Sequence, residues 1–356
     1  MKIRTAIIGQ GRSGADIHAK YLVTDPDKYT IVAVADPIQA RMDRAAKVYN
    51  YSADCKRYTD YHDLFKHTDI DLIVNASMSH MHVPITKEIM EAGFNVLCEK
   101  PLARTVKEVD MLVKTAEKTK KHFAIFQQSR FAPYFRKVKE IVDSGVLGRI
   151  VHVGIAFSNY ARRWDWQVVR KFNAGGLLNT GPHPLDQALR FLDCDGMPEV
   201  TCHMDNANSF GDAEDYIKLV MKAPGRPVID LEVSSCNAYP THTYLVQGTR
   251  GGLKGSMTHL DWKYFKEEEA PKQVLSENPI TGPDGSPLYC SEQLTWHDES
   301  WDVPQEQADL FKAISSGFYN MLHRSLTQNA PLEITPAQVR QQIAVIEECH
   351  RQNKFG

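Results

Sequence analysis

In Ile3-Arg-Thr-Ala-Ile-Ile-Gly9-Gln-Gly11-Arg-Ser-Gly14 a short apolar run ends in three glycines spaced Gly-x-Gly-x-x-Gly, and a helical pattern follows at once. Each glycine has a separate task. Gly9 permits a tight turn out of a strand, Gly11 lets the backbone approach a pyrophosphate, and Gly14 lets the helix pack close to the strand. Gln10, Arg12 and Ser13 complete the loop. The helix start offers unpaired N–H groups and the positive end of its dipole to an anion. Glycine turns occur in many α/β proteins, so the flanking pattern decides. Here both flanks predict a dinucleotide site.

Outward from this stretch, residues 1–127 alternate two patterns. Thr5–Ile8, Ile31–Ala35, Leu72–Ala76, Val96–Cys98 and Phe123–Phe126 are short and apolar, as parallel strands covered on both faces are. Helical stretches lie between them. Ile38–Tyr49 is one, Ile85–Ala92 stops at a C-cap glycine, Gly93, and Thr105–Lys118 opens with the capping box Thr105-x-x-Glu108. This order predicts an α/β fold, an N-terminal doubly wound parallel sheet of the Rossmann type. Asp36 stands 22 residues beyond Gly14. A carboxylate there accepts the ribose hydroxyls of NAD and repels the extra phosphate of NADP. NAD is therefore the expected cofactor. A cap on the Asp36-Pro37 turn is the plainer use of the same residue, and Arg41 and Arg44 leave a route to NADP.

After residue 127 the rhythm changes. A helix is expected over Ala132–Ser144, ending at Gly145. Ile150–Phe157, Val200–Met204, Ile217–Met221, Val228–Ser234 and Thr243–Gly248 read as strands. They predict an α+β domain over 128–356 with an open, mostly antiparallel sheet. Gly282–Pro287 reads as an exposed loop. Gln305–Leu326 and Pro336–Gln352 are closing helices that can return to the first domain.

Composition narrows the function classes. A net charge of −2 provides no broad attraction to nucleic acid or to an anionic membrane. No apolar run reaches the length of a membrane span. The N-terminus is too short in basic and apolar residues for a signal peptide. The seven cysteines are scattered, odd in number and without a Cys-x-x-Cys pair, which points to free thiols in a reducing compartment, the cytoplasm.

Three stretches carry chemistry. Glu99-Lys100-Pro101 follows a parallel strand at its carboxyl end, where ligands of open α/β sheets bind. Gly175-Gly-Leu-Leu-Asn179-Thr-Gly-Pro-His183-Pro-Leu-Asp186 contains two prolines tolerated only in a first helical turn, so a helix begins near Gly181. Asn179, His183 and Asp186 then lie close to one face. A histidine there can act as general base. His and carboxylate at helical spacing can also ligate a metal, but no further His or Cys cluster accompanies them, and no metal is expected. Tyr160-Ala-Arg162-Arg163-Trp164-Asp165-Trp166 precedes this helix and is expected to overhang the cleft. Its rings suit sugar faces, and its arginines suit hydroxyl or anionic groups.

These residues resemble the Gfo/Idh/MocA family of oxidoreductases, named for glucose–fructose oxidoreductase, inositol dehydrogenase and a rhizopine-catabolism protein. The resemblance runs through the glycine loop, Asp36, Asn75–His82, Ala92–Ala103 with its Glu-Lys-Pro, Arg130-Phe-x-Pro133, Gly175–Asp186 and Gly248-Thr-x-Gly251. It implies that Ser77, His82, Glu99, Lys100 and Gln128 approach the cofactor, and that Lys100 and His183 do the chemistry. It also implies assembly as a homodimer or homotetramer through the second sheet. One departure stands out: the family's usual Asp four residues before the histidine is Asn179. Asn carries no charge, so His183 should stay neutral to lower pH.

The expected activity is NAD-dependent oxidation of a secondary hydroxyl on a sugar, sugar acid or cyclitol. His183 is the base, Lys100 assists and Asn179 positions. Tyr160, Arg162, Arg163, Trp164 and Trp166 are candidate substrate contacts. Two alternatives belong beside it. One is a glycosidase or lyase that cycles through a transient keto-glycoside, and the other is a non-catalytic NAD-binding regulator.

Overall fold

A computed structural model describes residues 1–353. Residues 354–356, the last three of the predicted second domain, lie outside the described residues. Two sheets organise the chain. The first has six strands, all parallel: β1 (Ile3–Ile8), β2 (Tyr29–Ala35), β3 (Lys56–Tyr58), β4 (Leu72–Asn75), β5 (Asn95–Cys98) and β6 (Phe123–Ile125). Their spatial order is β3-β2-β1-β4-β5-β6. The order reverses between β1 and β4, which opens a crevice at their carboxyl ends. β1 and β4 are almost wholly buried, as expected of strands covered on both faces.

The glycine loop leaves β1 at this crevice. Gly9 has φ +86. A Cβ on Gly14 would lie 1.8 Å from the Gly9 carbonyl oxygen, so only glycine allows the helix to pack here. The first turns are wider than an α-helix. Gly14–Ala19 winds as a π-helix before one α-turn, α1 (Lys20–Leu22). The sequence pattern does not announce that widening. The other helices of this part are α2 (Gln39–Val48), α3 (His82–Glu91) and α4 (Val106–Thr119). The Thr105–Glu108 capping box forms as the sequence predicts. α3 starts three residues before the expected Ile85, because Pro84 fits a first helical turn where no N–H is required.

The second sheet has eight strands in the order β14-β13-β12-β11-β7-β10-β9-β8. They are β7 (Ile150–Ser158), β8 (Glu199–Asp205), β9 (Tyr216–Lys222), β10 (Val228–Ser234), β11 (Tyr244–Gly248), β12 (Gly251–Gly255), β13 (His259–Tyr264) and β14 (His297–Asp302). Only β7 and β10 run parallel. The sequence reading lacks β3, β12, β13 and β14. β12 holds three glycines, and β14 is the charged run His-Asp-Glu-Ser-Trp-Asp. Such sequences have little strand preference of their own, and charge suits an edge strand. α5 (Pro133–Asp143), α6 (Gly176–Asn179) and α7 (Pro182–Leu192) pack beside this sheet.

Two final helices tie the parts together. α8 (Leu310–Gln328) begins five residues later than expected, because Gln305–Gln307 forms a separate 3-10 turn. Its Tyr319 stacks on Tyr21 with ring centroids 4.9 Å apart. α9 (Pro336–Gln352) closes the opposite edge of the second sheet, where Gln352 and Asn353 side chains pair with the backbone of β8.

Candidate active site

The crevice at the carboxyl ends of β1, β4 and β5 gathers the predicted cofactor residues. The Gln10 amide donates to Asp36 Oδ2 at 2.7 Å, and the Ile38 amide to Asp36 Oδ1 at 2.8 Å. Asp36 therefore does cap the turn, with Arg41 3.7 Å away. It also anchors the glycine loop, a role the sequence does not show. Gln10 turns inward, accepting from the Tyr51 hydroxyl. A Cβ at Gly11 would meet no atom within 4 Å, so the crest of the loop is open. Arg12 is exposed beside it.

On the β4 side, the Asn75 side chain accepts from the Ser77 hydroxyl and donates to the His82 carbonyl and to Thr86. His82 is buried. Its Nδ1 lies 2.7 Å from the Pro101 carbonyl and its Nε2 3.1 Å from that of Ser77. Burial lowers its pKa, so the ring is neutral with a single N–H, best used on the closer Pro101 oxygen. His82 braces two loops from behind.

Glu99 is likewise a supporting residue. One oxygen faces His18 Nε2 at 3.1 Å, and the other accepts the Lys100 amide at 2.9 Å. His18 in turn meets the Tyr319 hydroxyl at 2.6 Å. Burial opposes the Glu99 charge, but the hydrogen bond and charge of His18, with Lys100 beside it, outweigh burial and lower its pKa. His18 and Tyr319 are absent from the sequence reading. They lie 301 residues apart, and no local pattern signals their meeting.

Lys100 reaches across the cleft. Its Nζ donates to the Asn179 carbonyl at 2.8 Å. Burial lowers its pKa against the pull of Glu99, and the charges of Arg12 and Arg163 lower it further. His183 is half-buried in the first turn of α7, and its Nδ1 is shielded with no hydrogen-bond partner. Its pKa falls to about 3 through burial first and the Lys100 charge second. The sequence reading ties a neutral His183 to the missing Asp; burial and the Lys100 charge act in the same direction.

Neither Asn179 nor Asp186, its neighbours on the predicted helix face, bonds the His183 ring. The Asn179 side chain bonds Gln167 at 3.1 Å instead of the imidazole ring. Asp186 is gripped by Arg130 through two parallel contacts and fixes the helix to the loop after β6. Gly175 sets the entry to this segment. Its φ is +122, and a Cβ would lie 2.4 Å from Glu214 Oε1, which accepts the Leu177 amide. Glu214 and Gln167 are positioning residues that sequence reasoning missed.

The overhang divides sharply. A cavity of about 440 Å³ lies between the ends of β7 and β10 and the α6 segment, lined by Arg163, Gln167, Asn179 and Thr180 among others. Tyr160, Arg162, Trp164 and Trp166 are not in its wall. Tyr160 and Trp164 are 61% and 80% exposed. Arg162 lies over the Phe210 ring and Trp164 meets that ring edge-on. Trp166 packs against Phe172. Their rings find each other and solvent before they find the cleft.

An open loop crest at Gly11, a shielded unpartnered Gln128 Oε1 and the lone His183 Nδ1 fit a nicotinamide dinucleotide. Residues 3–127 match the family described as "Oxidoreductase family, NAD-binding Rossmann fold", and residues 135–254 match the GFO/IDH/MocA C-terminal domain. The chain belongs to the Gfo/Idh/MocA family. Among its curated relatives, 2,7-anhydro-N-acetylneuraminate hydratase of Mediterraneibacter gnavus is 29% identical over 71% of this chain and 67% of its own. Inositol 2-dehydrogenase of Salmonella typhimurium is 29% identical over 42% of this chain and 44% of its own. The solved NAD-binding protein from Listeria innocua superposes with TM-score 0.79 at 20% identity, covering 99% of this chain and 97% of that one. As an oxidoreductase of this family the chain has no group of three or more His, Cys, Asp or Glu positioned for a metal among the described residues. No described helix is long and apolar enough to cross a membrane.

Proposed function

We propose that this Gfo/Idh/MocA member oxidises a secondary hydroxyl of a sugar, sugar acid or cyclitol, with NAD preferred over NADP. The observation that carries the reading is the pairing of a neutral, unpartnered His183 with a Lys100 ammonium fixed across the cleft. A nicotinamide dinucleotide held by the Gly9–Gly14 loop would supply the hydride acceptor for the substrate carbon. His183, with its Nδ1 free of protein partners, takes the hydroxyl proton. Lys100 donates a hydrogen bond to the same oxygen as negative charge develops there. Asn179 holds Lys100 through its backbone, so its side chain stays with Gln167. Asp36, buried and held by two amides, supports NAD because its charge opposes an added phosphate.

On this reading residues 1–127 form the cofactor domain and 128–356 the substrate and assembly domain. The open face of β11–β14 carries a shallow cavity of about 820 Å³ bordered by Lys254, Lys263, Trp296 and Glu299, which suits pairing of copies as a homodimer or homotetramer. Seven free cysteines among the described residues support a cytoplasmic setting.

A second reading is favoured by one relative. A hydratase such as that of M. gnavus catalyses a reaction with no net oxidation. In an oxidoreductase fold this suggests transient oxidation, elimination from the acidified neighbouring C–H bond with loss of the leaving group, addition of water to the resulting double bond, and return of the hydride. A panel of sugars, cyclitols, uronic acids and aryl glycosides with NAD and with NADP separates the two, following reduced cofactor and released aglycone together. Stoichiometric NADH supports the dehydrogenase. Aglycone without NADH supports cycling. Tight NAD binding with neither product overturns both and leaves a non-catalytic NAD-binding regulator.

A further inference from the structure

The cavity beside Asn179 carries a charge that sugar oxidation alone does not require. Arg163 is half-buried in its wall. Its backbone is fixed, its carbonyl accepting the Phe210 amide at 2.9 Å. Its guanidinium bonds Asp165 through Nε at 3.1 Å and Nη2 at 2.8 Å, and Nη2 also meets Gln167. Nη1 makes no hydrogen bond to a described residue. From Arg163 a polar chain runs to the chemistry: Gln167 donates to Asn179 Oδ1, and the Asn179 carbonyl receives Lys100.

Two carboxylates also belong to the wall. Glu214 is buried, its Oε1 accepting the Leu177 amide and its Oε2 without a partner. Asp215 accepts the amides of Ala207, Asn208 and Ser209. Only Asp165 opposes Arg163, and its side chain is 45% exposed. Asp165 meets the guanidinium through both oxygens but from a partly solvated position, so a ligand carboxylate of the same fork geometry can exchange for it. The rest of the wall suits a hydroxylated ligand, with Ser158, Ser234, Thr241 and Thr243 in it, and with Ser209 Oγ shielded and unpartnered.

We propose that Arg163 selects for a carboxylate on the substrate, so that the ligand is a sugar acid whose carboxylate replaces Asp165 while its reacting hydroxyl lies at His183 and Lys100. The proposal rests on the sugar-oxidation reading and narrows it to an anionic substrate class. The guanidinium fork and a carboxylate match in geometry as well as charge. Arg163 and Lys100 are joined through Gln167 and Asn179, so a ligand that spans this chain meets a cation at each end.

The test compares acids with their uncharged esters. Protein loaded with NADH is titrated calorimetrically with D-glucuronate, D-galacturonate and N-acetylneuraminate, each beside its methyl ester. The expected result is one acid bound about tenfold to hundredfold more tightly than its ester, with the preference shrinking as salt rises. Arg163→Gln brings that ratio close to one. Asp165→Asn raises acid affinity, and serves as the deciding variant if Arg163→Gln also loses NADH binding. Esters binding as well as acids, no acid binding, or a preference that survives Arg163→Gln overturns the proposal. Turnover of the same compounds is followed separately. Arg163-dependent acid binding with no hydride transfer and no bond cleavage sinks the sugar-oxidation reading and leaves the ligand class standing.

Discussion

The two walls of the cleft are built by different means. The wall formed by Gly9–Gly14, Asp36 and Ser77 is largely backbone. It relies on a packing so close that a Cβ on Gly14 would lie 1.8 Å from the Gly9 carbonyl oxygen, on amides donated to a buried carboxylate, and on an open crest at Gly11. In the facing wall Arg163, Gln167 and Asn179 are side chains held by one another, with His183 unpartnered beside them. Backbone recognition suits a cofactor shared by many enzymes, because it reads phosphate and leaves no residue free to vary. Side-chain recognition suits a substrate that differs between relatives. Lys100 is the joint: it grows from the first wall and is fixed by a carbonyl of the second.

The sharpest way to break this comparison is to strip chemistry from the second wall and leave the first intact. His183→Ala and Lys100→Met should each cut turnover by about 10² to 10⁴, while a fluorescence titration with NADH is little changed. Wild-type turnover in either variant would refute the assignment. Gly14→Val attacks the opposite wall. It should cost about 1–3 kcal/mol by overpacking against Gly9, seen as a lower melting temperature together with weakened NADH binding. Unchanged NADH affinity would mean that the loop does not hold the cofactor.

A third prediction concerns pH. Folded His183 stays unprotonated down to about pH 3, whereas the unfolded chain protonates it near pH 6.5. Its contribution to stability is thus complete above pH 6.5 and drains away as pH falls toward 3. Denaturant unfolding between pH 7 and 4.5 should show a slope that His183→Gln reduces. In rate profiles no acid limb near pH 6.5 should belong to this residue, and finding one removed by His183→Gln would contradict its burial. The smallest expected effect is that of Gln167→Ala. It frees Asn179 and should lower kcat by about tenfold or less, in line with one hydrogen bond, with KM for the cofactor unmoved. A loss as large as that of His183→Ala would make Gln167 part of the chemistry.

Legibility in the sequence follows the same division. The strands β1, β2, β4, β5 and β6 are readable because each is a buried apolar run, and the Thr105 capping box is readable because cap and partner stand three residues apart. β14 is unreadable: its run of charges pairs with β13 only because it is the edge. Among site residues, Lys100 and His183 stand in local patterns that announce a strand end and a helix start. Tyr160, Arg162 and Trp164 look equally apt, yet Phe210, 46 residues beyond Trp164, draws two of them away. Asp186 looks like a partner for His183 until Arg130 claims it from another element.

By itself the sequence determined the parallel sheet, the glycine turn, the position of Lys100 at a strand end and of His183 in a first helical turn. Each of these depends on interactions within a few residues, or on hydrophobic periodicity that survives in any environment. Tertiary structure alone decided that Asp36 anchors the loop, that burial and Lys100 lower the His183 pKa, that His18 and Tyr319 meet at Glu99, and that Arg163 alone of the overhang's candidate contacts lines the cavity. Those outcomes depend on which long-range neighbour arrives first at a polar group and how much water remains around it, and neither is written in the order of residues.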